Sequence, residues 1–309
     1  MAAEVEVEVE VEAADAVGAV GAAVVSRVQR VGLGWRPELA AGIFANLDRI
    51  DVVEVLADDY FNAPRRERDA LRALAEQVPV QLHGVGLGLA SACAVDTARL
   101  DRMARLVEHV RPAGWSEHLA FVRAKGVEIG HLAMPPRTAR TIEQTVRNVE
   151  LARTITGTVP ALENIATLFD PPMSTHTEAD WSRQILVASG APLLLDLHNL
   201  YANAVNARRD PLADLAAFPL ERVSGVHLSG GMWISHDGGE RRLLDDHLHS
   251  PPDAVFELLR SLQMQTKASF DVVLERDGRY PKFEVLIGEL DRARAALSPL
   301  VAQPLRRYA

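Results

Sequence analysis

Eight short runs rich in β-branched residues and leucine, each followed by a longer stretch with helical periodicity, constrain the fold of this chain more than any other feature. The runs are Val28–Leu33, Asp51–Leu56, Pro79–His83, Gly114–Glu117, Val159–Asn164, Pro192–Leu197, Val223–Leu228 and Asp271–Glu275. Strands that alternate with helices pair in parallel, because each helix carries the chain back to the starting edge of the sheet. Eight such units close a (β/α)8 barrel. Between them, Arg65–Gln77, Thr97–Val110, Ala139–Thr156 and Asp253–Leu262 place Leu, Val, Ala or Met at i, i+3, i+4 with Arg and Glu opposite, the pattern of helices laid on a barrel wall. Asp96 before the third helix and Ser174 or Thr175 before the fifth are N-cap candidates, and Pro251-Pro252 suits a helix start. No linker or repeat interrupts the alternation. The expectation is one α/β domain, a TIM barrel over residues 28–300 of the 309.

Composition supports a large core and narrows the chemistry. Hydrophobic residues make up 48% and charged residues 24%, a balance that needs no covalent staples. The single cysteine, Cys93, excludes an internal disulfide framework and any thiolate-rich metal site, so a bound metal must use nitrogen and oxygen donors. With 33 Lys and Arg against 42 Asp and Glu, a net charge of −9 disfavours nucleic acid as a partner. The start, in which Glu4 to Glu12 alternate with valines, lacks the basic and apolar regions of a signal peptide. Residues 1–27 are expected to form an acidic, low-complexity, disordered tail, although the alternation would also fit an edge strand. No later stretch has the length and apolarity of a membrane span, and the chain is read as cytoplasmic.

Nearly every expected strand finishes in a residue type that ligates metals: His83, Glu117-His118, Glu163-Asn164, Asp196 with His198 and Asn199, His227, and Glu275. The long Gly-rich segment from Ser229 to Pro252 adds Asp245 and His247. In a barrel these ends converge on one mouth. Several carboxylates packed there would repel unless cations neutralised them. Each residue alone has a milder reading as a loop histidine or a helix cap; the recurrence within apolar runs favours metal. Imidazole, carboxylate and amide donors without thiolate suit iron, manganese or zinc. His131, His176, His236 and His249 are peripheral to this set, and His109 falls on a solvated helix face. Gly84-Val85-Gly86-Leu87-Gly88 reads as a tight loop in preference to a phosphate cradle, because the helix that follows starts several residues later. The run Pro64 to Arg68 and the pairs Arg208-Arg209 and Arg241-Arg242 read as surface charge.

At these residues the chain resembles the multinuclear non-heme iron-dependent oxidative enzymes, whose members include the methanobactin oxazolone-forming oxidase and the 3-thiaglutamate pathway enzyme. The likeness runs from about Gly32 to Pro281 through Gly32 to Arg36, Leu82 to Leu87, Ser116 to Leu119, Leu162 to Asn164, Leu195-Asp196 with Asn199 and Tyr201, Val226 to Leu228, Asp245 with His247, and Leu274-Glu275. The resemblance implies a barrel that uses two or three iron ions and dioxygen to oxidise a cysteine, a C-terminal Asp or another residue of a ribosomally made precursor peptide, helped by a leader-binding partner protein. It implies His83, Glu117, Asp196, His227, Asp245, His247 and Glu275 as iron ligands, with Glu163, Asn164 and Asn199 in or beside the ligand shell, and Asn164 and His118 as outer tuning groups. One departure stands out: where the family reads Glu-Val-His-Ser-Glu-Asn-Tyr, this chain has Glu54-Val55-Leu56-Ala57-Asp58-Asp59-Tyr60. A usual histidine is Leu56, which leaves one iron position to Asp58 or His198. Two alternatives accompany this reading. The ligand order also resembles the trinuclear zinc apurinic endonucleases, although Asn199 stands where those have His; and a barrel that has lost a ligand could serve as a non-catalytic module that binds a peptide or partner.

Overall fold

The computed structural model describes residues 29–124, 127–235 and 240–298. Its strands are β1 (Val31–Gly34), β2 (Val53–Leu56), β3 (Val80–Gly84), β4 (Gly114–His118), β5 (Phe121–Ala124), β6 (Val127–Ala133), β7 (Ala161–Glu163), β8 (Leu193–Asp196), β9 (Val223–Leu228), β10 (Gly231–Ser235), β11 (Arg241–Asp245) and β12 (Asp271–Leu274). Eight of them close a parallel barrel in the order β1-β12-β9-β8-β7-β4-β3-β2. All eight coincide with the sequence runs: five lie within them, and β1, β3 and β4 each extend one residue further, to Gly34, Gly84 and His118. The expected tail, residues 1–27, lies outside the described residues.

The helices are α1 (Ala40–Ala45), α2 (Arg65–Ala75), α3 (Thr97–Val110), α4 (Ala139–Thr156), α5 (Glu178–Ser189), α6 (Leu197–Asn206), α7 (Pro211–Ala217), α8 (Asp253–Gln265) and α9 (Phe283–Leu297). Local chemistry sets their ends. Asp96 caps α3 by accepting from Ala98 N, and Thr138 and Thr141 form a reciprocal capping box on α4. Gly157 and Gly190 end α4 and α5 in the left-handed region, where glycine meets no Cβ penalty. The cap of α5 is Thr177, whose hydroxyl accepts from Asp180 N, and not Ser174 or Thr175 as expected. Those two residues instead tie the preceding loop to Arg137: Ser174 Oγ accepts from Arg137 N, and Thr175 N donates to Arg137 O.

Period-two alternation along the strands separates two environments. Leu33, Val55, Leu82, Leu162, Leu195 and Leu274 are buried in the apolar core. The alternate residues point into the barrel. Gln81, Ser116, Ala161, Leu194 and Val273 surround a small cavity of about 50 Å3 inside it, and the next inward residues toward the mouth are His83, His118, Glu163, Asp196 and Glu275. Two antiparallel hairpins that periodicity did not reveal, β5–β6 and β10–β11, stand at the mouth as separate two-stranded sheets. The second occupies the segment after Ser229 that sequence alone left as a long loop.

Candidate metal centre

Parallel register brings the mouth residues into contact. His83 pairs with Ser116, His118 with Glu163, and Asp196 with His227 across neighbouring strands. Two groups of donors result, each with its ligand atoms within 4.8 Å of one another: His83, His118 and Glu163; and Glu163, Asp196, His227 and Glu275. Glu163 belongs to both.

Each histidine uses one ring nitrogen for orientation and turns the other toward a carboxylate. His83 has Nδ1 2.8 Å from Ser116 Oγ and Nε2 3.3 Å from Glu163 Oε2. His118 has Nδ1 3.2 Å from the Gly84 carbonyl and Nε2 3.2 Å from the same Glu163 oxygen. His227 reverses the pattern, with Nε2 2.9 Å from Glu54 and Nδ1 3.1 Å from both Glu163 and Glu275. Such outer partners fix the tautomer and aim of a metal-binding imidazole. Glu54 and Ser116 were not singled out from sequence as members of this site. Their signal was available in the alternation, because Glu54 and Ser116 share the inward phase of His83 and His118.

The remaining candidates take distinct positions. Asp245 lies 2.7 Å from His198 Nδ1 and 2.9 Å from His247 Nε2, and His247 Nδ1 lies 3.6 Å from Glu275 and 3.3 Å from Asp277. Asn164 spends its amide on the next strand, donating to Asp196 O at 3.0 Å and accepting from Asp196 N at 2.8 Å. Asn199 donates to Asn164 O at 3.1 Å and keeps Oδ1 free of a partner among the described residues. Glu117 accepts from Leu87 N and from His118 N, both at 3.1 Å, and Asp58 accepts from Val85 N at 2.9 Å. The glycine loop thus cradles two of the protein's own carboxylates. Leu56 ends β2 in register with His83. Of the peripheral histidines, His131 borders the mouth cavity, His176 contacts the Arg137 carbonyl, His249 contacts Asp246, and His109 lies 3.0 Å from Asp69. His236 lies outside the described residues. Arg208, Arg209 and Arg242 pair with Glu240, Asp214 and Glu240 at the surface, and Arg241 stacks over Trp233.

Burial makes this concentration of charge consequential. Desolvation alone would lower the histidines, but Glu163 and its neighbours outweigh it and hold His118 up at about 9. Burial likewise opposes, and Glu275, Glu54 and Glu163 overcome, to raise His227 well above its usual range. Burial, with Asp245 and Glu163 beside it, pushes Asp196 well above the usual carboxylate range. Desolvation would raise Glu163 and Glu275, but the surrounding imidazoles bring both below it. Protons on imidazole therefore balance part of the carboxylate charge, a role that cations bound at the same atoms would take over with release of those protons. Buried polar atoms without hydrogen-bond partners are uncommon in native folds. Here Glu163 Oε2, Asp196 Oδ2, Glu275 Oε2, Asn199 Oδ1 and His198 Nε2 are all of that kind among the described residues. The donor set and these orphan atoms fit a multinuclear site for metals that accept nitrogen and oxygen ligands.

Above the cluster opens a cavity of about 410 Å3. Its floor holds His118, Glu163, Asn199, Asp245 and His247; its walls are apolar, with Leu132 and Met134 from the first hairpin side, Ile165 and Leu168 from the β7–α5 loop, and Leu243 and Leu244 from β11.

Comparison with known proteins agrees with this architecture. The family described as RiPP precursor modification enzyme MbnB/TglH/ChrH matches residues 30–298. A UPF0276 protein of Streptomyces avermitilis is 35% identical over 273 residues, 86% of this chain, which spans only about half (54%) of that relative's length. A UPF0276 protein of Rhizorhabdus wittichii is 32% identical over 247 residues, covering 79% of this chain and 86% of its own. A solved xylose isomerase domain containing protein of Salmonella typhimurium shares the fold, with a TM-score of 0.56 at 13% identity over 87% of this chain and 97% of that one. No helix among the described residues is long and apolar enough to cross a membrane. The chain belongs to the MbnB/TglH/ChrH family of RiPP precursor modification enzymes.

Proposed function

We propose that this protein is an iron- and dioxygen-dependent oxidase that modifies one residue of a ribosomally made precursor peptide. The observation that carries the reading is Glu163, a buried carboxylate common to two donor groups and bearing an unpartnered oxygen. A carboxylate so placed is suited to bridge two metal ions. His83 and His118 would complete one position. Asp196, His227 and Glu275 would complete the other, with Asp245, His247, His198 and Asn199 on the side facing the cavity, where a third ion or the substrate would find donors. Bound iron would supply the redox chemistry with dioxygen that the side chains lack.

The chain's own groups do the rest. Glu54 and Ser116 hold His227 and His83 in position, and Asn164 fixes the Asp196 backbone through both amide atoms. The apolar walls of the cavity exclude water around the reacting residue. A cavity of about 410 Å3 admits one or two side chains of a peptide whose remainder lies along the hairpins. A leader-binding partner would bring the peptide there.

The test is anaerobic purification, metal analysis, and oxygen consumption with candidate peptides. Iron at two or three ions per chain with peptide-dependent oxygen uptake and a mass change on the peptide is the expected result. Zinc with phosphodiesterase activity would assign the barrel to metal-activated hydrolysis, and absence of any bound metal would leave a peptide-binding module.

A further inference from the structure

On the outer wall, far from this chemistry, α2 and α3 leave a groove of about 420 Å3 between them. Arg68 and Arg72 from α2 and Arg102, Arg105 and Arg111 from α3 and its end line it. Opposing charge is sparse. Glu108 lies in the lining, Asp69 on α2 is taken by His109 at 3.0 Å, and Arg72 has Glu76 at 3.6 Å. Among the described residues, Arg68, Arg102, Arg105 and Arg111 have no carboxylate within 4.0 Å. Arg111 also adopts a left-handed conformation, φ 55°, closing α3 through its N–H to Val107 O. Glycine or asparagine meets no comparable penalty there, so a guanidinium is kept at the groove against local preference. A dense cationic cluster on a chain of net charge −9 calls for an anionic occupant.

The same chain carries one. Glu4, Glu6, Glu8, Glu10 and Glu12 alternate with valines, Asp15 follows, and no basic residue occurs before Arg27. We propose that this acidic N-terminal segment docks, extended, in the arginine groove between α2 and α3. Carboxylates two residues apart on an extended chain recur about every 6.6–6.8 Å. Positions four apart on a helix, such as Arg68 and Arg72, rise about 6 Å. An extended Glu-Val run laid along the helices therefore places two or three successive carboxylates along the roughly 13 Å of helix that Arg102 to Arg111 cover, with Arg68 and Arg72 on the facing wall. The reach is sufficient. Gln29 and Arg30 are held at the N-terminal face of the barrel by Gln263 and Asp271, the same end at which α3 finishes with Arg111. Only β2 separates β1 from β3, so the groove lies on the order of 20 Å away. The sixteen residues from 13 to 28 span up to about 50 Å extended and about 20–24 Å as a coil. Tethering supplies an effective concentration of about millimolar, so even a weak groove would be filled. The proposal does not depend on the identity of the metals.

The test compares the native full chain with a full chain in which the five glutamates are replaced by Gln, using a fluorescent peptide of the sequence of residues 2–13 as probe. The Gln-tailed chain is expected to bind the probe at least ten-fold more tightly than the native chain, with the affinity lost as salt rises. Adding Arg102→Glu and Arg105→Glu, both at solvent-accessible positions, should abolish binding without moving the thermal transition. In a second measurement, Arg105→Lys in the native chain should give zero-length carbodiimide cross-links between the new amine and Glu4–Glu12, independent of protein concentration. Equal probe affinity for the two chains, no probe binding by either, or cross-links found only between molecules would overturn the proposal.

Discussion

Two corners of the barrel mouth bury carboxylates in opposite ways. Around the glycine loop, Glu117 and Asp58 are met by backbone N–H groups of Leu87, His118 and Val85, and Gly84 and Gly86 leave them the room that a Cβ would take. That corner supplies its own neutralisation from fixed amide dipoles. At the centre, Glu163, Asp196 and Glu275 each keep an oxygen without a hydrogen bond, and the groups closest to them are imidazoles aimed by Ser116, Gly84 and Glu54. In the first arrangement both carboxylates have hydrogen-bond partners, with burial and the Glu117 charge still holding Asp58 above the usual carboxylate range. The second is complete only with added positive charge, protons or metal ions, and so the centre is where ions should bind.

The sharpest way to break this contrast is Glu163→Gln. Removing the shared charge should abolish metal at both positions, taking bound ions from two or more per chain to below about 0.3, and with them peptide-dependent oxygen uptake, while far-UV circular dichroism stays native. Glu54→Gln leaves every proposed ligand in place and loosens only the aim of His227, so its metal affinity should fall by about 10–100-fold. Titration with a competing chelator reads that difference. A Glu163→Gln protein that retained both ions would remove the basis for treating the centre as open.

Legibility of the site in the sequence follows the same divide. Strand-borne residues such as His83, Asp196 and Glu275 stand out because a polar type ends an apolar run, and parallel pairing then forces neighbouring strand ends together. What sequence alone could not sort was which carboxylates have partners. Glu117 and Glu163 look alike as strand ends, but Glu117 pairs with Leu162 in the outward phase and receives the Leu87 amide from across thirty residues, while Glu163 points inward beside His118. The family resemblance implies His118 as an outer group, yet it sits in phase with His83 and shares Glu163 with it. The two hairpins escaped for another reason. The β6 strand, Val127–Ala133, is mostly exposed and carries little alternation, because its role is to wall a cavity and not to cover a core.

Glu117→Gln tests the completed corner from the other side. An amide nitrogen cannot accept from Leu87 N or His118 N, so one buried donor loses its partner, at a cost of about 1–3 kcal/mol. The thermal midpoint should fall by about 3–8 °C, with metal content held at the native value. A drop in bound metal comparable to that of Glu163→Gln would erase the distinction between the corners. Asn203→Ala acts on the cavity wall, since Asn203 accepts from Thr167 N at 2.7 Å and donates to Ile165 O at 2.9 Å. Loosening that loop should raise the KM for peptide several-fold at unchanged metal content.

Glu178 shows a third solution to the same problem, with a proton in place of amides or cations. It is the first residue of α5, accepts from Asn203 Nδ2 at 3.1 Å, and has a second oxygen buried without a partner. Burial pushes its carboxyl up to about 7, with Arg137 and Asn203 only partly opposing. Because the folded chain holds this proton more tightly than the unfolded chain, the associated stability is fully present below about pH 4.5 and is lost as pH rises through about 7. Glu178→Gln mimics the protonated form at every pH. Its thermal midpoint should match the native protein near pH 5 and exceed it by about 2–4 °C at pH 8. Equal midpoints at both pH values would show that Glu178 is ionised in the fold like Glu163 and Glu275, and that the proton-neutralised class of buried acid is absent at this position.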